Sequence, residues 1–81
     1  MSILVLNSGS STIKYNIYTE QLEKIFSGRV DRIGAQDTCL YHKSLDMADE
    51  AKQVRFMPDH KTSLDYILNE TIPKDIRQQI L

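Results

Sequence analysis

The sequence predicts an α+β fold, in which an antiparallel β-meander at the N-terminus is followed by one or two helices. Two apolar segments near the N-terminus flank a polar, glycine-containing turn, which is the pattern of a β-hairpin. After Asp59 the hydrophobic spacing changes from a period of two to a period of about 3.6, which indicates a change from strand to helix. A chain of 81 residues is long enough for one small domain.

The first two strands are predicted at residues 3–6 and around residues 13–17. Residues 3–6 form a short, β-branched-rich run, which is typical of a strand covered on both faces. The next segment alternates, so three apolar residues share one face, Ile13, Tyr15 and Ile17. The bend of this hairpin is predicted at residues 8–11.

A third strand is predicted over residues 24–33 and ends before Gly34. One of its faces carries three residues, Phe26, Gly28 and Val30. The join at residues 18–23 is short and polar, so the third strand should pair antiparallel with the second.

Residues 35–57 allow two interpretations. Segments 38–41 and 52–56 have the composition of short strands around an acidic loop at residues 46–50. Alternatively, residues 46–53 form a helical turn. The sequence leaves both interpretations open.

A helix is predicted from Asp59, which is a suitable N-cap because its carboxylate can accept from the first free backbone N–H groups. Its apolar stripe consists of Leu64, Ile67, Leu68 and Thr71. Pro73 ends this helix and suits the first turn of a second one, in which Ile76 and Ile80 lie one turn apart. The second helix is expected to run into the C-terminus, as in a truncated chain.

Composition and charge exclude several classes of function. Hydrophobic residues make up 41% and charged residues 26%, so the chain is too apolar for a disordered one. The net charge is −1 and no block of like charge occurs, so a nucleic-acid partner is not expected. No membrane span is expected, because no apolar run is long enough, and no signal peptide is expected, because the first residues lack its pattern. A cytoplasmic location is expected, and Cys39, the only cysteine, has no internal disulfide partner.

The turn after the first strand has the residues of a phosphate-binding site. Gly9 permits a tight turn and close approach of the backbone to a ligand. It is followed by three hydroxyl residues, Ser10, Ser11 and Thr12. Lys14 lies on the same face as the last of these hydroxyls, because side chains alternate along a strand. Asn7 offers an oxygen to a nucleotide or to a water on bound Mg²⁺, so the turn gathers donors beside a positive charge.

The turn differs from the common nucleotide-binding loops. Neither G-x-x-x-x-G-K-[ST] nor G-x-G-x-x-G before a helix occurs, and the turn leads into a strand, so a helix dipole cannot assist. The same composition is also that of an ordinary hairpin turn. Taken alone, the residues favour the two interpretations about equally.

Residues 5–15, V-L-N-S-G-S-S-T-I-K-Y, closely resemble the N-terminal signature of the acetate kinase family, usually V-L-N-x-G-S-S-S-x-K-[FY]. Residues 28–34, G-R-V-D-R-I-G, are similar to the family's G-x-V-E-R-I-G. Residues 58–60 contain an Asp-His pair that resembles the family's opening of a helix. Three blocks in the same order are more specific than any one of them.

The resemblance implies the N-terminal fragment of an acyl-carboxylate kinase of the sugar kinase–Hsp70–actin superfamily. Such enzymes transfer the γ-phosphoryl of ATP, with Mg²⁺, to acetate or another short-chain carboxylate, giving an acyl phosphate and ADP. Residues 1–81 would begin the first of two ribonuclease-H-like domains. The family's catalytic residues are expected beyond this segment, so we expect no catalytic residue here and no activity from the chain alone.

The resemblance also assigns the turn residues. Asn7 falls on the family's Mg²⁺- and phosphate-side asparagine. Ser10 and Lys14 match residues of the phosphate region as they stand. Thr12 replaces the usual serine and keeps its hydroxyl.

Other candidate residues and functions follow. His60 is expected to be structural, because it has no catalytic partner nearby in sequence. Cys39 and His42 form a lone C-x-x-H, which is too little for zinc. The alternative functions are a free-standing phosphate- or nucleotide-binding module and a folded remnant with an unused turn. A fragment leaves apolar faces uncovered, which favours a homodimer.

Overall fold

The computed structural model describes residues 1–80 and contains one five-stranded sheet followed by helices. The strands are β1 (Ser2–Ser8), β2 (Ile13–Thr19), β3 (Lys24–Asp31), β4 (Cys39–Ser44) and β5 (Ala51–Val54). They lie in the order β1-β2-β3-β4-β5, and every neighbouring pair is antiparallel. The helical part consists of α1 (His60–Tyr66), a π-helical segment (Ile67–Thr71) and α2 (Lys74–Gln79). The predicted meander followed by helices is confirmed.

The hydrophobic core lies between one face of the sheet and the helical part. Alternate residues of β2, the three predicted for one face, are buried, as are Phe26 and Val30 of β3. Met57, Ile67 and Ile72 close the core from the other side. None of the helices within residues 1–80 is long and apolar enough to cross a membrane.

The prediction that residues 3–6 are covered on both faces is wrong. β1 is the edge strand of the sheet, and Ile3, Val5 and Leu6 are 38%, 47% and 45% exposed. Only Leu4 of this run packs against the core. An apolar β-branched run indicates a strand with layers on both sides, whereas residues 1–80 place a helical layer on one face only.

The third strand ends at Asp31 rather than at residue 33. Arg32 has a φ of 61°, in the left-handed region, and this takes the chain out of the extended conformation. Gly34 follows with a φ of 93°, which favours glycine, and its N–H donates to the Met57 carbonyl at 2.8 Å. The chain thus turns towards the segment that precedes α1.

Between residues 35 and 57 the strand interpretation is confirmed and the helical turn at residues 46–53 is wrong. Four residues of β4 pair with β5, from Cys39 opposite Val54 to His42 opposite Ala51. Antiparallel pairing satisfies the backbone groups of this segment, which a single helical turn would leave largely unpaired.

The predicted N-cap of α1 is confirmed. The Thr62 N–H donates to Asp59 Oδ1 at 2.8 Å, and the Ser63 hydroxyl donates to the Asp59 carbonyl at 2.9 Å. The helix then widens into the π-helical segment, where the Ile72 N–H donates to the Ile67 carbonyl at 2.9 Å. Both isoleucines are buried by this arrangement, so the single regular helix predicted from the apolar stripe is divided in two.

The prediction that the second helix runs into the C-terminus is wrong. Pro73 does end the first helix, but it is the N-cap of α2 rather than part of its first turn. α2 ends at Gln79, and Ile80 is extended and forms a parallel bridge with Ser2. Ile80 therefore packs against the core beside β1 instead of one helical turn from Ile76.

The Asp59 cap predicts a loss of stability in acid. The hydrogen bond from Thr62 holds the pKa of Asp59 below its ordinary value of 3.8. The cap therefore stabilises the fold above that ordinary value, and its contribution is lost as the pH falls through the lower folded pKa. An Asp59→Asn variant keeps a capping oxygen that does not titrate. Between pH 5 and pH 2, the free energy of unfolding measured with urea should fall more for the unmodified chain than for this variant. Equal falls for the two proteins would contradict the role of the cap.

Candidate functional site

The hairpin loop consists of residues 9–12, between the paired residues Ser8 and Ile13. The Gly9 N–H donates to the Thr12 carbonyl at 2.9 Å, which closes the loop. A Cβ on Gly9 would lie 2.7 Å from the Thr12 hydroxyl oxygen, so a larger residue here would require the Thr12 side chain to move. The loop is a tight turn in which the Thr12 hydroxyl lies directly against the backbone.

The loop is held from two sides by parts of the chain that are distant in sequence. The Ile33 N–H donates to the Ser11 carbonyl at 2.9 Å, which ties the loop to the turn that follows β3. His60 Nε2 lies 2.7 Å from the Gly9 carbonyl oxygen, which ties it to the start of α1. The three motif blocks of the sequence, residues 5–15, 28–34 and 58–60, therefore meet at one end of the molecule.

The strand register places the polar candidates on one face. Asn7 of β1 lies directly opposite Lys14 of β2, and Lys14 lies opposite Arg29 of β3. Directly opposed residues of antiparallel strands point to the same side, so these three side chains form a row across the sheet. Thr12 and Lys14 both line an open groove of about 610 Å³ on the face away from the helices.

Two lysines, Lys14 and Lys24, line this groove, and Lys14 is the one next to the hairpin loop. Arg29 Nε lies 3.0 Å from Asp31 Oδ2, and its Nη1 lies 3.3 Å from Glu50 Oε2. The hydrogen bond to Asp31 is the main cause that raises the pKa of Arg29. Two carboxylates thus offset the charge of this guanidinium, which also stacks 3.9 Å from the centre of the Tyr41 ring. Lys14 has no carboxylate within 4.0 Å among residues 1–80.

The structure brings together Asn7, Gly9, Thr12 and Lys14 as the sequence predicts, and leaves Ser10 exposed at the tip of the loop. It adds His60, which sequence reasoning assigned to a structural role without a partner. The signal that pointed to it is the third motif block, because the Asp-His pair occurs in the same order as the other two blocks.

The remaining candidates lie elsewhere. Cys39 is half-buried, and its thiol lies 3.4 Å from the Asp37 carbonyl oxygen. His42 stacks on Phe26, with ring centres 5.8 Å apart. Within residues 1–80 no three His, Cys, Asp or Glu side chains are grouped so that they could hold a metal ion.

Two solved structures share this fold. The crystal structure of Porphyromonas gingivalis acetate kinase aligns with a TM-score of 0.80 at 24% identity, over 93% of this chain and 19% of that one. A propionate kinase from Francisella tularensis subsp. tularensis SCHU S4 aligns with a TM-score of 0.82 at 18% identity, over 98% of this chain and 20% of that one. At these identities the likeness concerns the fold.

The sequence assigns the family. The chain belongs to the Acetokinase family, whose model matches residues 2–80. It is 37% identical over 78 residues to the acetate kinase of Thermotoga maritima, covering 94% of this chain and 19% of that protein. It is 31% identical over 77 residues to that of Brachyspira hyodysenteriae, covering 94% and 20%. The chain spans about a fifth of the length of these relatives, and the family expected from the motifs is confirmed.

Proposed function

We propose that this chain is the N-terminal part of the first ribonuclease-H-like domain of an acyl-carboxylate kinase, and that it supplies part of the site for the phosphates of ATP. The observation that carries the proposal is the position of Lys14, an unpaired cation in the same groove as the Thr12 hydroxyl, next to the glycine-closed loop. Relatives named acetate kinase support ATP and acetate, or another short-chain carboxylate, as the substrates.

The loop suits the chemistry of phosphoryl transfer, which depends on positioning and on stabilisation of charge. The hydroxyls of Ser10 and Thr12 donate to phosphate oxygens, and Lys14 offsets their negative charge. Gly9 lets the backbone come close to the ligand, because no Cβ stands in the way. Together these groups would hold the phosphate chain of the nucleotide against the end of the sheet.

Asn7 fits a secondary role towards Mg²⁺. Its side-chain oxygen is of the hard type that Mg²⁺ prefers, but it stands opposite the Lys14 ammonium and has no carboxylate cluster beside it. Asn7 would therefore act on a water of a bound Mg²⁺ rather than hold the ion by itself. When bound, such an ion would neutralise charge on the transferring phosphoryl group.

The segment is proposed to bind nucleotide without catalysing transfer. Positioning an acyl acceptor and stabilising the transition state require further cations, and among residues 1–80 Arg29 is already engaged by two carboxylates. The chain, mixed with acetate, ATP, Mg²⁺ and hydroxylamine, should therefore give no acyl hydroxamate above background. Formation of hydroxamate at the rate of a complete kinase would overturn this part of the proposal.

Replacing Lys14 by alanine should weaken binding of ATP·Mg²⁺ about tenfold, because one charge-assisted hydrogen bond is lost. Titration of the labelled chain, followed through the backbone amide signals of residues 9–12, gives the affinity. Lys24→Ala is the matched control, since Lys24 lines the same groove and carries the same charge. If both variants bind ATP·Mg²⁺ as tightly as the unmodified chain, Lys14 does not contribute to the site.

A second candidate is a free-standing module that binds phosphate without belonging to a larger catalyst. The observation in its favour is that residues 1–80 close a core of their own, with Tyr15, Ile17 and Ile67 at most 1% exposed. The apolar residues exposed on β1 favour the fragment instead, because they invite pairing into a homodimer. Sedimentation of the isolated chain distinguishes the two: a stable monomer supports the module, and self-association supports the fragment. A cytoplasmic location is proposed for either.

A further inference from the structure

The contact between His60 and the hairpin loop is the one direct hydrogen bond from α1 to this loop in the described part of the chain. His60 Nε2 and the Gly9 carbonyl oxygen are 2.7 Å apart, although the residues are 51 positions apart in sequence. A carbonyl oxygen can only accept a hydrogen bond, so the ring nitrogen must carry the proton and donate it. The contact therefore fixes the ring with its hydrogen on Nε2.

Fixing the Gly9 carbonyl also fixes the next backbone donor. Residues 1–80 contain no cis peptide bond, so the peptide between Gly9 and Ser10 is trans and planar. In such a unit the carbonyl oxygen and the following N–H point in opposite directions. His60 holds the oxygen on the side of α1, and the Ser10 N–H is consequently directed away from the helix.

This peptide needs an external restraint. Gly9 has no Cβ, so rotation about its ψ angle meets little steric resistance. The bond from the Gly9 N–H to the Thr12 carbonyl restrains the peptide before Gly9 and does not itself hold the Gly9–Ser10 peptide. Within residues 1–80 the Ser10 amide has no backbone acceptor, so no internal hydrogen bond sets its direction.

His60 is itself firmly placed. It is the first residue of α1, directly after the Asp59 cap, whose carboxylate and carbonyl accept from Thr62 and Ser63. Ser63 is completely buried, which anchors this first turn to the core. The imidazole thus extends from a fixed helix end to a loop whose glycine would otherwise let one peptide rotate.

We propose that His60 is a positioning residue, which sets the Gly9–Ser10 peptide so that the Ser10 N–H is presented as a donor to a phosphate oxygen. The inference rests on the proposed function for the ligand, but the orientation of the peptide is a property of the ligand-free chain. A glutamine at position 60 has a side-chain N–H at a similar reach and can replace the donor, whereas alanine cannot.

The first experiment follows the Ser10 amide without nucleotide. In the unmodified chain and in His60→Gln we expect one sharp amide signal for Ser10. In His60→Ala we expect that signal to shift and broaden, because the peptide then samples more than one orientation. Lys61→Ala is the matched control, since Lys61 is the next residue of α1 and its exposed ammonium pairs with Asp65 and not with the hairpin loop. An unchanged Ser10 signal in His60→Ala would overturn the inference.

The second experiment measures ATP·Mg²⁺ binding with the same four proteins. His60→Ala should bind about fivefold more weakly, His60→Gln should recover most of the loss, and Lys61→Ala should bind normally. Asp59→Ala reports what a weakened helix start does by itself, and a loss of affinity as large as that of His60→Ala would reduce His60 to a structural role. If the unmodified chain does not bind ATP·Mg²⁺, the proposed function fails, while the Ser10 signal still decides whether His60 orients the loop.

Discussion

Replacing Gly28 by alanine is expected to lower the free energy of unfolding by about 3 kcal/mol. Gly28 of β3 lies directly opposite Tyr15 of β2, and the tyrosine ring lies over the glycine. A Cβ would overlap the end of that ring and would lie 2.5 Å from the Tyr41 carbonyl oxygen. Neither neighbour can retreat easily, because Tyr15 is 1% exposed within the core and the carbonyl belongs to the adjacent strand.

The Tyr15 hydroxyl lies in the closely packed region between the tyrosine ring and Gly28. It is buried without a hydrogen-bond partner in the described residues, and burial raises the pKa of the phenol. Thermal unfolding should show the loss for Gly28→Ala as a fall in Tm of about 15 °C in a chain of this size. Urea unfolding should show it as a lower free energy of unfolding. Ser27→Ala, one residue earlier and on the groove side, should change the stability little. A Gly28→Ala variant within about 0.5 kcal/mol of the unmodified chain would contradict the close approach.

Thr38→Val should cost about 2 kcal/mol of unfolding free energy, because a buried hydroxyl with three partners is removed. The Thr38 hydroxyl donates towards the carbonyls of Ala35 and Arg32, at 2.9 and 3.1 Å. It also accepts from the Met57 N–H at 3.2 Å. Valine has nearly the same shape, so the loss would come from the unpaired polar groups and not from a cavity.

Equilibrium unfolding of Thr38→Val and Thr38→Ser separates the contribution of the hydroxyl's hydrogen bonds from that of the methyl group's packing. Serine keeps the hydroxyl and loses only a methyl group, so we expect it to be the milder change, at about 1 kcal/mol. Because Thr38 joins the turn after β3 to the segment that leads into α1, Thr38→Val should also loosen the contact between His60 and the loop. A serine variant that is less stable than the valine variant would contradict the account by hydrogen bonds.

Local patterns predicted most of the fold. The alternation of Ile13, Tyr15 and Ile17 identifies both a strand and its buried face, because side chains of a strand alternate whatever surrounds it. The Asp59 cap was equally predictable, since a cap acts within one turn of its own helix. The exposure of Val5 and the extended conformation of Ile80 could not be predicted in this way. Both depend on which elements lie beside β1 and not on the residues within one segment.

The candidate site divides in the same way. The short loop between paired strands places Asn7 opposite Lys14, and alternation puts Thr12 on the same side, so this part follows from sequence. The contact from His60 to Gly9 joins residues 51 positions apart, and no local pattern contains it. Only the order of the three motif blocks hinted that they meet. The ligand roles of these residues stay predictions until nucleotide binding is measured.

The parallel bridge between Ser2 and Ile80 brings the two ends of the described chain side by side. Chain ends that are neighbours in space can be joined by a short linker, and new ends can be opened in an exposed turn. Leu45, which is 72% exposed in the turn between β4 and β5, is such a place and is not part of the loop or of its contacts. A circular permutant opened there would keep every contact of the hairpin loop while changing the order of the elements. In this segment, the arrangement of the strands and helices in space should therefore not depend on their order along the chain.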